Sequence, residues 1–152
     1  MFPPPALIIS LTNSFRYATV SLSMKSLFTH LFWIGLFGFF GSLSRFLLSK
    51  GIGRLVWAFP LGTFVVNVIG SLILGFMMYS VLAGKEISPL VRDAIGIGFL
   101  GAFTTMSTFS FETFRLLEQG EMVFAFINII INVGACLFAI YIGKTIAYLA
   151  IG

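Results

Sequence analysis

Long apolar runs, separated by short polar turns, are the dominant pattern along this chain. A helix needs about 20 apolar residues to cross the hydrocarbon core of a bilayer. Four runs reach that length, and we expect transmembrane helices over residues 27–48, 59–83, 94–117 and 122–149. The pattern therefore predicts an all-α, polytopic membrane protein with four transmembrane helices.

The predicted helices are joined by three short polar turns, at residues 50–54, 83–89 and 118–121. Since short connections join antiparallel neighbours, we expect the helices to alternate in direction across the membrane. Pro60 stands near the start of the second helix, where its missing amide hydrogen is tolerated. Both ends of the helical domain, residues 27–152, then lie on the same side of the membrane.

Residues 1–26 differ in composition from the helical domain that follows. They begin with Met-Phe-Pro-Pro-Pro and contain Arg16 and Lys25 but no acidic residue. A signal peptide is one interpretation, although no small-residue cleavage site precedes a soluble domain. The simpler expectation is a dispensable extension that is disordered or interfacial, with Met24 as the alternative start of the protein.

Composition narrows the class of protein further. Hydrophobic residues make up 59% of the chain and charged residues only 9%, whereas a soluble domain carries about 25% charge. The chain has one His, one Cys and five acidic residues, so an intrachain disulfide is excluded and a Cys/His metal site is disfavoured. We therefore expect no hydrolytic or metal-dependent enzyme.

The orientation of a membrane protein normally follows the difference in Lys/Arg count between the two sides of the membrane. In this chain the two counts are nearly equal. The side of the two termini carries Lys25, Lys85, Arg92 and Lys144, and also Arg16 if the extension is counted. The other side carries Arg45, Lys50, Arg54 and Arg115. We hypothesise that the chain inserts both ways and forms an antiparallel homodimer with a two-fold axis in the membrane plane. The alternative is that the small difference in Lys/Arg count still sets a single orientation.

Polar residues within the second predicted helix fall on one face. Thr63, Asn67 and Ser71 are spaced four residues apart, and Gly70 and Gly75 near them permit close packing. Polar groups in hydrocarbon usually face the protein interior or a water-filled cavity. The stripe therefore resembles a hydrated wall, and hydrogen bonding between helices is the alternative.

Two other predicted helices repeat this pattern. The residues are Asn128, Asn132 and Cys136 in the fourth helix and Gly38, Ser42 and Arg45 in the first. No acidic residue lies at the middle of a predicted helix, although a proton-coupled cation exporter normally needs one there. Neutral donors together with Arg45 suit an anion or a neutral solute better than a cation.

The third predicted helix contains three glycines, at positions 96, 98 and 101, followed by a run rich in Thr and Ser. Glycine has poor helix propensity, and Ser and Thr side chains compete for backbone groups. The segment predicts a helix broken at mid-membrane, which is tolerated only where the backbone is buried in protein or lines a cavity. A continuous helix with a glycine packing face is the alternative.

At this segment the sequence resembles the Fluc/CrcB fluoride channel family. The matching motifs are Gly-Ser-Leu-Ser-Arg at 41–45, Pro-Leu-Gly-Thr-Phe-Val-Val-Asn at 60–67, and Gly-Phe-Leu-Gly-Ala-Phe-Thr-Thr-Met-Ser-Thr-Phe-Ser-Phe-Glu at 98–112. The resemblance covers the chain from about Met24 onward. It implies a passive fluoride channel of the plasma (inner) membrane, built as an antiparallel, dual-topology dimer with two pores.

The resemblance also implies particular site residues. A structural sodium ion at the dimer centre would be held by the backbone carbonyls of Gly101 and Thr104, while Asn67 matches a pore-lining asparagine. Phe109 matches the second phenylalanine of an aromatic pair along the pore. The rest of the expected anion pathway is Thr63, Met106, Ser107, Thr108 and Ser110, and Arg45 and Glu112 match residue types that the family also uses.

Two positions depart from the family pattern. Met106 stands where the first phenylalanine of the pair is expected, and Ala102 stands where many members carry a second glycine. Aromatic edges carry partial positive charge that can face an anion, whereas methionine is polarizable but has no ring edge. We therefore expect altered conduction, with the length of Met106 letting it stand in for the ring.

Three other classes remain as alternatives. A small dual-topology multidrug or cation exporter is disfavoured by the missing intramembrane carboxylate, and a non-transporting assembly subunit would not need a polar stripe and a broken helix. An enzyme is least expected, because His30 is predicted to be interfacial and Cys136 to be a small buried residue. Whether the dimer partner is the same chain or a paralogous subunit is left open.

Overall fold

A computed structural model describes residues 24–53 and 59–151 of the chain. Its helices are α1 (Met24–Gly53), α2 (Leu61–Leu82), α3 (Pro89–Asp93), a π-helical segment (Ala94–Leu100), α4 (Gly101–Phe103), α5 (Met106–Glu118) and α6 (Met122–Ile151). The described residues form no strand. Four spans, α1, α2, residues 89–118 and α6, are long and apolar enough to cross a membrane, which confirms the predicted four-helix architecture.

Both ends of α1 differ from the prediction. α1 begins at Met24 rather than at Leu27, and it continues to Gly53, so the predicted turn is wrong for residues 50–53. A glycine weakens a helix by only about 1 kcal/mol, and Lys50 in the last turn interacts favourably with the helix dipole. Arg54, Arg16 and the predicted extension up to residue 23 lie outside the described residues.

The third span begins earlier than predicted, at Pro89 rather than Ala94. The Ser88 hydroxyl accepts a hydrogen bond from the Val91 amide, and Pro89 follows at the first helical position. These are the residue types that favour a helix start, because they satisfy or remove unpaired amide groups. The span therefore contains α3 as well as the apolar segment that the hydrophobic pattern identified.

Residues 24–32 form the first turns of α1 and belong to a separate compact unit. The Thr29 hydroxyl donates to the Lys25 carbonyl oxygen at 3.0 Å, and Nδ1 of His30 lies 2.8 Å from the Ser26 carbonyl oxygen. The bond ties the His30 ring to its own helix. The described residues from Trp33 onward form a second unit.

Two glycines close the predicted turns between helices. Gly84 and Gly120 adopt positive φ angles of 99° and 77°, a conformation that residues with a Cβ rarely adopt. The amides of Lys85 and Glu121 then donate to the Ser80 and Leu116 carbonyls, at 3.0 and 2.9 Å. Both connections are short, as predicted for residues 83–89 and 118–121.

Glycines also allow α2 and α6 to approach at backbone distance. A Cβ on Gly75 would overlap the backbone of Ile140, and one on Gly143 would overlap the backbone of Leu72 and Phe76. Asn67 contacts Asn132 near one end of this interface and Tyr79 contacts Tyr148 near the other, so α2 and α6 run in the same direction. This agrees with the predicted alternation, in which the second and fourth helices are parallel, and it confirms the packing role predicted for Gly75.

The surface of the described residues is strongly apolar. Large hydrophobic side chains are exposed on α1, α5 and α6, among them Phe39, Phe111 and Phe138, each more than 60% exposed. Soluble monomers rarely expose apolar surface on this scale. Many of the 19 Phe of the sequence thus lie on a surface suited to lipid, as expected of a multi-pass membrane protein.

Candidate ion pathway

The third span breaks at two threonines. Thr104 has φ −82° and ψ 158° and Thr105 has φ −151° and ψ 116°, so both are extended between α4 and α5. The Thr105 hydroxyl accepts a hydrogen bond from the Thr108 amide at 3.1 Å and so caps the second half of the span. The predicted break is confirmed, and it lies between the glycine-rich and the Thr/Ser-rich parts of the sequence.

The glycine packing face, proposed as an alternative to the break, is also present. A Cβ on Gly98 would overlap the backbone of Ile34, and one on Gly41 would overlap the backbone of Phe99. α1 and the π-helical segment therefore meet at backbone distance, just before the break. The buried residue of α1 is Gly41, which is not part of the predicted face of Gly38, Ser42 and Arg45. Ser42 of that face is exposed.

Asn67 holds the broken backbone in place. Its Oδ1 accepts a hydrogen bond from the Thr105 amide at 2.8 Å, and its Nδ2 donates to the Thr105 carbonyl at 3.2 Å. The same Nδ2 also donates to Oδ1 of Asn132 at 3.2 Å, which links α2 to α6. The side chain thus satisfies both backbone groups of an extended buried residue, as a neighbouring strand would. No local sequence pattern predicts this contact, because Asn67 and Thr105 are far apart along the chain.

The break redirects two amides from their helical acceptors. In a continuous helix the Thr105 amide would donate to the Gly101 carbonyl and the Thr108 amide to the Thr104 carbonyl. Here the first donates to Asn67 and the second to the Thr105 hydroxyl. The carbonyls of Gly101 and Thr104 therefore lack these helical donors, and both residues line the same cavity.

A cavity of about 380 Å³, here called the break cavity, lies beside the break between α2, the third span and α6. Three residues of the expected anion pathway line this cavity, namely Asn67, Met106 and Phe109. Met106 is 68% exposed and Phe109 is 6% exposed. The lining also includes Asn132 and Cys136, which the sequence identified only as part of a polar stripe. Cys136 is half-buried rather than buried.

A second cavity of about 730 Å³, here called the vestibule, lies where α1 ends and α2 begins. It gathers Thr63, Thr108 and Glu112 from the expected site, together with Lys50 and Arg115. The Thr63 hydroxyl lies beside the half-buried Glu112 carboxylate. Lys50 and Arg115 line the same cavity, which agrees with their predicted placement on the same side of the membrane.

Three predicted site residues line neither cavity. Ser107 and Ser110 are exposed on α5, and Arg45 is half-buried on α1. Their roles therefore stay predictions from the resemblance.

Asn128 also lies outside both cavities. Its Nδ2 donates to the Thr113 hydroxyl at 2.8 Å and so links α6 to α5. Hydrogen bonding between helices is the alternative role proposed above for such polar residues.

The sequence is similar to a family of membrane channels over most of its length. A sequence model described as "CrcB-like protein, Camphor Resistance (CrcB)" matches residues 32–144. A protein of Geotalea daltonii named fluoride-specific ion channel FluC is 46% identical over 112 residues, 73% of this chain and 90% of the relative. Proteins of the same name from Methanococcus aeolicus and Methanocaldococcus jannaschii are 50% identical over 111 residues and 47% identical over 114. These alignments cover 73% and 75% of this chain and 89% and 90% of the relatives. The family match spans both cavities and the broken helix, and the chain belongs to the CrcB-like family.

Proposed function

We propose that this protein is a fluoride-selective channel that lets fluoride leave the cytoplasm passively and so lowers its concentration there. The observation that carries the proposal is the break cavity, in a chain whose relatives are named fluoride-specific channels. The proposed location is the plasma (inner) membrane. Fluoride efflux from liposomes that contain the purified protein tests the proposal, and no covalent step or enzyme activity is involved.

The lining of the break cavity suits a small anion better than a cation. Its polar groups are amides, hydroxyls and a thiol, and its residues include no Asp or Glu. Fluoride is strongly hydrated, so a pathway must replace its water with hydrogen-bond donors and positive fields, which act strongly at low dielectric. Binding must also be weak enough to allow release. The absence of a carboxylate among these lining residues argues against the alternative, a proton-coupled cation exporter.

Phe109 supports the same proposal through its ring. It is nearly buried yet lines the break cavity, where a ring edge with partial positive charge can face an anion. Thr63, Thr108 and Glu112 would continue the pathway into the vestibule, where Lys50 and Arg115 favour the approach of an anion. The two cavities are proposed to be successive parts of one route.

The homodimer is a separate proposal, supported by the exposure of the break. Gly101 and Met106 are exposed beside the break cavity, on a face that a second copy of the chain would cover. Irregular backbone at membrane depth requires such cover or a water-filled cavity. An antiparallel arrangement agrees with the near-equal number of basic residues on the two sides.

Dual topology predicts that a reporter fused after residue 152 is found on both sides of the membrane. The weak Lys/Arg bias is the physical reason, because that bias normally sets orientation. Adding three lysines to the turn at residues 118–121 should shift the reporter toward one side. A reporter found on one side only, in the unmodified protein, would contradict dual topology.

A structural sodium ion at the dimer centre is proposed on the chemistry of two carbonyls. The carbonyls of Gly101 and Thr104 have lost their helical donors, and Na⁺ prefers such oxygen ligands. When bound, the ion would supply a positive charge beside the pathway and stabilise these carbonyls. The structure thus offers donor atoms of a suitable type.

Removing sodium is expected to destabilise the dimer. Replacing Na⁺ with N-methylglucamine should lower the melting temperature in detergent and the dimer fraction, because a ligand that binds only the folded state stabilises it. Potassium at the same ionic strength is the control for a general salt effect. Equal stability in all three solutions would contradict the proposed sodium site.

Met106→Phe is expected to preserve or raise fluoride efflux from liposomes. The substitution restores a ring edge at a residue that lines the break cavity. Met106→Ala, which removes both the ring and the polarizable sulfur, should lower efflux. A large loss of efflux in Met106→Phe would show that local packing is specific for methionine.

A further inference from the structure

A cluster of two tyrosines and a lysine joins α2 to α6 toward the C-terminal ends of both helices. The rings of Tyr79 and Tyr148 lie 6.2 Å apart, and Nζ of Lys144 lies 5.3 Å from the centre of the Tyr79 ring. None of these three residues lines the break cavity or the vestibule. The three residues are here called the tyrosine–lysine cluster.

The length of α2 places this cluster at the edge of the hydrocarbon core. At 1.5 Å per residue, the 22 residues of α2 extend over about 33 Å, and the core is about 30 Å thick. Tyr79 stands three residues before the last residue of α2, so it lies about 5 Å from that end. Tyrosine is enriched at this depth, because its ring suits an apolar environment while its hydroxyl reaches water and lipid headgroups.

Lys144 brings a positive charge to the same depth. It is the only charged residue of α6, and it is half-buried. A lysine near the end of a membrane span packs its methylene groups on apolar surface and extends its ammonium group toward the headgroups. The ring of Tyr79 also attracts this ammonium group through its π face. The cluster therefore combines a fixed cation with two phenol hydroxyls at the membrane surface.

The other charged side chains of the second unit at this end balance one another. Lys85 and Glu86 are adjacent and exposed in the turn after α2. Nε of Arg92 lies 3.3 Å from Oδ1 of Asp93 at the start of the third span. The excess positive charge at this end thus comes from Lys144, and an anion is the complementary partner.

We propose that the tyrosine–lysine cluster binds the phosphate headgroup of an anionic phospholipid. The Lys144 ammonium supplies charge and N–H donors, and the hydroxyls of Tyr79 and Tyr148 can each donate one hydrogen bond. Phe76 lies one turn deeper on the same face of α2 as Tyr79 and is 36% exposed, so an acyl chain can pack on it. A zwitterionic lipid has the same phosphate but adds a positive group that Lys144 repels. The site therefore favours an anionic lipid such as phosphatidylglycerol.

Native mass spectrometry of the purified full-length protein tests this preference, with phosphatidylglycerol and phosphatidylcholine of identical acyl chains as the probes. Phosphatidylglycerol should bind about fivefold more tightly, which is the usual contribution of one lysine near an anionic membrane surface. Lys144→Gln should remove most of this preference, and Lys144→Arg, which keeps the charge, should retain it. Phosphatidylglycerol should also raise the melting temperature of the unmodified protein more than that of Lys144→Gln.

Lys85→Gln is the matched control, because Lys85 is exposed at the same end of the protein but lies outside the cluster. Its preference for phosphatidylglycerol should stay close to that of the unmodified protein. Tyr148→Phe keeps the ring and removes one hydroxyl donor, so it should weaken phosphatidylglycerol binding about threefold. The two variants separate a defined headgroup site from a general attraction of basic residues to anionic lipid.

Equal binding of the two lipids by the unmodified protein would overturn the proposed site, as would equal losses in Lys144→Gln and Lys85→Gln. Displacement of phosphatidylglycerol by excess inorganic phosphate would assign the cluster to a free anion instead of a lipid. A lower dimer fraction in Lys144→Gln, with an unchanged lipid preference, would identify a contact between two copies of the chain and also overturn the site. Fluoride efflux is measured separately, so these outcomes leave the proposed channel function untouched.

Discussion

Asn67→Ala is expected to reduce fluoride efflux about a hundredfold and to lower the free energy of unfolding by about 2–4 kcal/mol. The substitution leaves the amide and carbonyl of Thr105 and the oxygen of Asn132 without their present partner in a buried region. Each buried group without a partner costs about 1–3 kcal/mol, and part of this cost is recovered when water enters. Because the broken backbone then loses its hydrogen bonds to Asn67, both fluoride efflux and the free energy of unfolding should fall.

The measurement pairs fluoride efflux with thermal unfolding of the purified protein in detergent. Ser71→Ala is the control for stability, since Ser71 lies one turn later on the same face and lines the same cavity. It should unfold within a few degrees of the unmodified protein. If Asn67→Ala had the melting temperature and the efflux of the unmodified protein, the hydrogen bonds between Asn67 and Thr105 would have no role in stability or conduction.

Gly143→Ala is expected to lower the free energy of unfolding by about 2–3 kcal/mol and to abolish most fluoride efflux. A Cβ at this position would overlap the backbone of Leu72 and Phe76 on α2. Backbone atoms cannot move aside as a flexible side chain does, so α2 and α6 must separate. That separation would also pull Asn132 away from Asn67, because the two residues link the same pair of helices.

Gly134→Ala is the matched control, since Gly134 lies on the same helix and a Cβ there would meet no atom within 4 Å. Alanine has higher helix propensity than glycine, so this variant should be as stable as the unmodified protein or slightly more stable. Chemical unfolding and size-exclusion chromatography measure the difference between the two variants. Equal stability of both would contradict the close packing of α2 on α6.

The sequence predicted the features that depend on local pattern. Apolar runs of sufficient length located four spans, and the poor helix propensity of glycine followed by Thr and Ser located the break at Thr104 and Thr105. Small residues beside the stripe of α2 predicted the close packing at Gly75. These predictions succeeded because hydropathy, propensity and residue size act over a few neighbouring residues.

Features that depend on contacts between distant segments were not predictable. Nothing near Asn67 in the sequence indicates that its amide binds the backbone of Thr105 and the side chain of Asn132, and so uses both of its donors. The distribution of the expected site residues between two cavities likewise depends on the packing of α2 against the third span. The helix end at Gly53 was missed because local glycines predict a turn that the structure does not contain.

Fluoride efflux from liposomes loaded with potassium fluoride tests the proposed channel most directly. A passive, charge-carrying pathway predicts that efflux begins when valinomycin lets potassium leave with the anion, and that liposomes loaded with potassium chloride release no chloride. Efflux without valinomycin, equal release of chloride, or no efflux with valinomycin would contradict a fluoride-selective channel.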